Sequence, residues 1–223
     1  MRRIVTASAL SARYNCFIPF QIGGIIIRRV LSLCIALGLL LSLAVQTRAD
    51  YSPEVDYMER MLDAAVRGDT ESGQSAQLCR DEKIDADGLD YPHVQFDELL
   101  LLSKIIEAEA GSEWLSDEWK MAVGEVVLNR IASPEFPDTM AEVVCQPGQY
   151  YGKNSRYFNS LLPSRRSAEA AARLLSGERV LGEPSVVFQA NFVLGGGVFL
   201  RLDDKQLGST YLCYSSHREL YNG

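Results

Sequence analysis

The chain has 223 residues, a formal net charge of -7 and 23% charged residues. That length admits one or two domains, and the composition is that of an ordinary globular protein. The acidic balance argues against a nucleic-acid partner and disfavours other polyanions.

In chain order, Arg28-Arg29 precede an apolar run from Val30 to Val45, and Gln46-Thr47-Arg48-Ala49 lead into Asp50. A positive flank, a hydrophobic run and a small residue predict a secretory signal over residues 1–49, cleaved after Ala49. The protein is then secreted or held in the cell envelope. A retained N-terminal membrane anchor is the other reading, although a spanning helix usually needs about 20 apolar residues. Membrane contact is expected only through this segment. Of the five cysteines, Cys16 and Cys34 fall inside it. Cys79, Cys145 and Cys213 remain, an odd number that leaves at least one thiol free or paired between chains. With His93 and His217 the only histidines, and no metal-ligand spacing, neither a metal nor another cofactor is expected.

Residues 50–94 read as an acidic linker with one short helix, from Pro53 to Val66, ended near Gly68. The stretch from Asp69 to Pro92 has few large apolar residues and predicts a solvated linker. A compact domain is expected over residues 95–223. Its first element is a helix through Leu99 to Ala110. At about 100° per residue, Leu99, Leu101, Leu102, Ile105 and Ile106 form a broad apolar face, with Glu109 in its middle and Lys104 and Glu107 on the other side. Glu107 therefore reads as a solvated surface charge. A carboxylate ending an apolar stripe is costly unless it is partnered, protonated or in a cleft. Burial also raises its pKa, as a general acid near neutral pH requires. Glu109 is thus a candidate catalytic acid; the alternative is a structural carboxylate bonded to nearby amides. Glu113 joins its face if the helix runs through Gly111-Ser112, and otherwise orders the loop.

A second helix is predicted from Ser116 to Ile131, capped by Ser116 and apolar around most of its circumference. Thr139 to Glu142 form a capping box for a short helix that stops before Pro147. Ser164 opens a further helix that Gly177 closes. The period then changes: Ser185 to Phe192, Val198 to Arg201 and Tyr211 to Tyr214 read as strands, with Gly195-Gly196-Gly197 a turn or flexible loop. Helices followed by a small antiparallel sheet define the α+β class. In Cys145-Gln146-Pro147-Gly148-Gln149-Tyr150-Tyr151, proline and glycine fix a turn from which Gln149, Tyr150 and Tyr151 project. Amides and aromatic rings together suit sugars, although surface tyrosines on an ordinary turn have the same pattern. If the even positions of the first strand face the core, Gln189 and Asn191 share the opposite face.

Several of these segments resemble the SleB-type cell-wall hydrolases: Ile106 to Glu113, Met121 to Arg130, Ser133 to Thr139, Val143 to Tyr150, Val186 to Phe192 and Tyr211 to Cys213, in family order. The resemblance implies a lysozyme-like helical core with a small antiparallel sheet. It also implies cleavage of peptidoglycan glycan strands, as a lytic transglycosylase or muramidase acting between N-acetylmuramic acid and N-acetylglucosamine. Members of the family open the spore cortex in germination. The family's catalytic glutamate maps onto Glu109, with Gln149, Tyr150, Tyr151, Gln189 and Asn191 as glycan-binding residues and Glu113 as a helper. Gly111-Ser112 departs from the family motif, and Glu125 stands where a small residue is usual. Two other readings remain: a non-enzymatic glycan-binding protein on the same scaffold, and a peptidase or amidase using Cys145 and His217.

Overall fold

The computed structural model describes residues 53–87, 92–150 and 155–221. The expected signal segment, Cys16 and Cys34 lie outside them, as does Tyr151. The chain from Ser52 onward is one compact unit. The helices are α1 (Pro53–Arg67), α2 (Thr70–Asp87), α3 (Phe96–Ala110), α4 (Asp117–Ile131), α5 (Met140–Cys145), α6 (Arg156–Ser160) and α7 (Arg165–Leu175). Strands β1 (Val186–Ala190), β2 (Val198–Asp204) and β3 (Gly208–Tyr214) follow, and a short 3-10 turn over Arg218–Tyr221 ends the described chain. The α+β expectation holds. The sheet is antiparallel in the order β1-β3-β2, with Gln189 opposite Leu212 and Asp203 opposite Ser209.

Of the linker expected over residues 50–94, most of the described part is helical. The predicted first helix is present and ends at Gly68, whose φ of 67° suits glycine. The stretch read as solvated is the 18-residue helix α2. It packs through small residues: a Cβ on Gly73 would lie 2.2 Å from the Phe96 ring, so glycine lets that ring sit against the helix. Ala76 and Ile84 are buried, and so is Arg80, whose guanidinium reaches Asp81 and donates to the Val94 carbonyl at 2.9 Å. Gln77 of α2 also accepts from the Phe96 amide at 2.7 Å, capping α3 from outside its own sequence.

The core lies among α1, α3, α4 and α7. Met61, Leu99, Leu102, Ile105, Ile106, Met121, Val127, Ala171 and Leu174 are all sealed from solvent. Helix α4 begins as expected, with Ser116 Oγ accepting from the Trp119 amide. Ser164 caps α7 through the Ser167 amide, and Thr139 caps α5 through the Glu142 amide. Helices α3, α4 and α7 meet at Gly124, where an added Cβ would stand 2.5 Å from Leu174 Cδ1 and 2.8 Å from Ile106 Cδ1. Gly124→Ala gains about 1 kcal/mol of helix propensity. It also forces two fully buried side chains out of a close-packed junction, which typically costs about 1–3 kcal/mol. A net loss of stability is expected in urea titration; a gain would show that the junction has slack.

The Gly195-Gly196-Gly197 run is tied to the sheet rather than free. Gly196 N–H donates to the Tyr214 carbonyl and Tyr214 N–H to the Gly197 carbonyl, at 2.9 and 3.0 Å. Asp203 and Asp204 are the last two residues of β2.

Candidate active site

Glu109 is the penultimate residue of α3. It stands three and four residues beyond the buried Ile106 and Ile105, so it continues their stripe past the edge of the core. Its side chain is reached by solvent, yet the surrounding protein desolvates the carboxyl enough to raise its pKa. Arg130 opposes that rise through its positive charge. Gln189 Nε2 lies 3.5 Å from Glu109 Oε2, at the outer limit of a hydrogen bond.

The helix end that carries Glu109 is held firmly. Lys120 is fully buried and donates to the Ala110 carbonyl at 2.5 Å, placing a cation at the C-terminus of α3 where the helix dipole favours one. Burial lowers its pKa, and Glu107 opposes that shift. Glu107 itself is not the solvated charge expected. It is half-buried and accepts from Ser164 N–H at 2.9 Å and Ser167 Oγ at 2.7 Å, at the start of α7. Burial raises its pKa, but these hydrogen bonds and the charge of Lys120 more than reverse that and leave the carboxyl ionised. Gly111 permits the arrangement, because a Cβ there would lie 2.2 Å from the Glu107 carbonyl oxygen.

Glu113 does not continue the face of Glu109. The helix ends at Ala110 and Glu113 sits in the following turn, exposed. Arg166 of α7 clamps that turn, donating to the carbonyls of Glu113 and Leu115 and to Asp117.

Arg130, which sequence reasoning passed over, is the centre of the remaining cluster. It is 3% exposed and its Nε donates to the Val187 carbonyl at 2.6 Å. Its guanidinium lies over the rings of Tyr150, Phe136 and Phe188, at 4.9, 5.0 and 6.0 Å from their centroids. Tyr150 is half-buried with its hydroxyl shielded from solvent, and burial pushes its pKa to about 12, with Arg130 opposing the rise and Glu109 adding to it. Its hydroxyl therefore keeps its proton at any working pH. Among the described residues, four buried side-chain polar atoms lack a hydrogen-bond partner: Arg130 Nη1, Gln146 Oε1, Tyr150 Oη and Gln189 Oε1. Buried polar groups are normally satisfied, and three of these four, on Arg130, Tyr150 and Gln189, belong to residues that interact with Glu109.

The other expected residues are placed less centrally. Gln149 is exposed on the turn made by Gly148, whose φ is 75°. Asn191 lies beyond the end of β1 and is exposed, so strand alternation does not pair it with Gln189. Cys79, Cys145 and Cys213 are all free thiols. His217 Nδ1 lies 3.2 Å from Glu219 Oε1, which gives it a partner other than Cys145. Among the described residues, no group of three or more His, Cys, Asp or Glu could hold a metal, and no helix is long and apolar enough to cross a membrane.

Glu125 also acquires a physical account. It is 1% exposed and accepts from the backbone amides of Val180, Leu181 and Gly182 at 2.6, 2.9 and 2.9 Å. One turn on, Asn129 donates to the carbonyls of Glu183 and Val186 at 3.1 and 3.0 Å. Three polar residues of α4, namely Glu125, Asn129 and Arg130, thus bind the chain that enters β1 and presents Gln189.

Residues 116–193 match the family model described as Cell Wall Hydrolase. That stretch contains Arg130, Gln146, Tyr150 and Gln189 and begins after Glu109. The chain is also similar to a spore cortex-lytic enzyme of Oceanobacillus iheyensis, 27% identical over 116 residues. The similarity covers 52% of this chain and 41% of the relative, so the chain spans less than half of that protein's length. No solved structure matches the chain. The match over residues 116–193 and this relative together support the SleB-type Cell Wall Hydrolase family for the chain, the family that its ordered motifs resemble.

Proposed function

We propose that the protein cleaves the glycan strands of peptidoglycan at the bond between N-acetylmuramic acid and N-acetylglucosamine, with Glu109 as general acid and then general base. One observation supports this above others. A solvent-reachable carboxyl with a raised pKa stands beside buried polar groups that have no protein partner. The spore cortex-lytic relative and the Cell Wall Hydrolase match favour the same substrate. Secretion to the cell envelope follows from that substrate and from the N-terminal segment.

Glycosidases that use water need a second carboxylate to serve as nucleophile or base. Three of the other acids are engaged in hydrogen bonds. Glu107 is committed to the start of α7, Asp203 accepts from Arg201 and Ser209, and Asp204 accepts two amides of its hairpin turn. A single acid is sufficient for a lytic transglycosylase. The Glu109 proton passes to the glycosidic oxygen, the bond from that oxygen to C1 of the muramic residue breaks, and the glucosamine sugar leaves as an alcohol. The 6-hydroxyl oxygen of the muramic residue then bonds to C1 and its proton returns to Glu109. A 1,6-anhydro end results, and the carboxyl is restored.

Digestion of purified peptidoglycan followed by mass analysis tests this. The expected fragments end in anhydromuramic acid, one water lighter than hydrolysis products. Reducing ends alone would reject the transglycosylase route while keeping Glu109 as an acid. Intact strands that nevertheless bind the protein would reject cleavage. Parallel digestion of strands with and without muramic lactam reports any preference for spore cortex.

A further inference from the structure

We infer that Glu135 is a positioning residue for the reaction: it ties the 3-10 turn at Arg218–Tyr221 to the segment that carries Phe136, and through Phe136 it holds the Arg130 guanidinium in place relative to Glu109. This role rests on the proposed function of Glu109 as the acid and concerns what fixes the charge beside it.

Glu135 gathers a knot of hydroxyl groups. Its Oε2 accepts from Tyr221 Oη at 2.7 Å and from Ser215 Oγ. Ser133 Oγ meets Tyr221 Oη and accepts from the Glu135 amide at 3.0 Å. Ser215 Oγ accepts in turn from the His217 amide at 2.9 Å. Burial raises the Tyr221 pKa, so its hydroxyl keeps the proton that it donates. Ser133 and Ser215 are buried, which shields these bonds from competing water. The knot therefore joins the connection between α4 and α5 to the chain that leaves β3. An apolar contact would hold those segments together and let them slide. A carboxylate oxygen shared by two hydroxyls also fixes their direction.

Phe136 follows Glu135 directly and carries the effect of the knot to the site. Its ring centroid stands 5.0 Å from Arg130 Cζ, and the ring meets Phe188 edge to face at 6.1 Å. The other holds on Arg130 do not involve the knot: its bond to the Val187 carbonyl and the rings of Tyr150 and Phe188. Arg130 supplies the charge that faces Glu109 from α4. Tyr150, on the turn after α5, is neutral, and Gln189, on β1, carries no charge. Of the charges near the end of α3, Lys120 is bonded to the Ala110 carbonyl and Glu107 to the start of α7. A guanidinium released by Phe136 spends more time away from the Glu109 carboxyl. That carboxyl then loses part of the attraction that favours its ionised form.

Tyr221→Phe loosens the knot and leaves Glu109, Arg130 and Phe136 unchanged. Carbon-13 NMR of labelled glutamate carboxyls reads the effect without substrate, with the Glu109 signal assigned by its loss in Glu109→Gln. The Glu109 midpoint is expected to rise by about 0.3 pH, a change of about twofold in its ionisation constant, as for a charge a few ångströms away that moves by about an ångström. On peptidoglycan, the descending limb of kcat/KM against pH should move upward with it. The value at the optimum should fall about tenfold, mostly in kcat. A role in stability alone would lower Tm and leave the midpoint and the limb in place. Phe136→Leu removes the ring and keeps the knot. It should raise the midpoint in the same direction, and the double variant should raise it no further than Phe136→Leu alone. An unchanged Glu109 midpoint in either folded variant would overturn the inference, and so would additive shifts in the double variant. If wild type leaves peptidoglycan intact, the proposed function fails on its own. The NMR titration still decides whether Glu135 holds Arg130 in place against Glu109.

Discussion

Glu109→Gln is expected to lower kcat/KM on peptidoglycan by about 100- to 10,000-fold, the usual contribution of a positioned general acid. Glutamine keeps the shape and the long contact with Gln189 and removes only the transferable proton. Glu107→Gln and Glu113→Gln serve as comparisons. The first weakens the start of α7, and the second alters an exposed side chain on a turn that Arg166 holds through the backbone. Neither is expected to approach the loss at Glu109. Equal losses at Glu109 and Glu113 would mean that the acid has been misassigned.

The same substitution has a second signature. The folded-state pKa of Glu109 is raised, so its protonated form favours folding. That contribution is fully present below the unfolded value of about 4.3 and is lost as pH rises through the folded value. Above that range, ionised Glu109 weakens the fold relative to a neutral glutamine. Glu109→Gln should therefore have a Tm close to wild type in strong acid and above it at neutral pH. Wild-type activity should fall over the same interval, because the acid must hold its proton to begin the reaction. If the rate and the Tm difference changed at widely separated pH values, different groups would control them.

The sequence exposed some of this and concealed the rest for physical reasons. Glu109 was visible because a helix of large apolar residues has one strong period, and a carboxylate on that period stands out. Capping serines and threonines at positions 116, 139 and 164 were visible because a cap is a local pattern. Helix α2 was invisible because it packs through Gly73, Ala76 and a buried Arg80, which produce no apolar stripe, and its Leu78 faces solvent. The role of Glu107 was invisible for another reason. A wheel shows that a side chain leaves one side of a helix but not that another helix begins there. Arg130 lies next to Asn129 on a helix that is apolar nearly all round, and only the Tyr150, Phe136 and Phe188 rings reveal it as part of the site. A signal was nonetheless present in that helix: Glu125, Asn129 and Arg130 are three costly residues on a predominantly buried element, and such residues demand partners.

Glu125 gives the largest stability prediction for that reason. Its Oε2 accepts from the amides of Val180 and Leu181, and its Oε1 from that of Gly182. Glu125→Gln keeps the volume but supplies only one accepting oxygen, so at least one amide N–H must face an NH2 group. A buried donor left without an acceptor costs about 1–3 kcal/mol. Glu125→Ala strands all three amides and opens space at a site 1% exposed, so a loss of about 3 kcal/mol or more is expected. Urea titration of the two variants measures both. The enzymatic consequence should differ in kind from that of Glu109. The loop that Glu125 anchors leads into β1 and so positions Gln189, while the acid on α3 is untouched. The surviving folded enzyme should keep the wild-type pH profile with a higher KM. An altered pH profile with unchanged stability would place Glu125 in the proton chemistry instead and remove it from the scaffold.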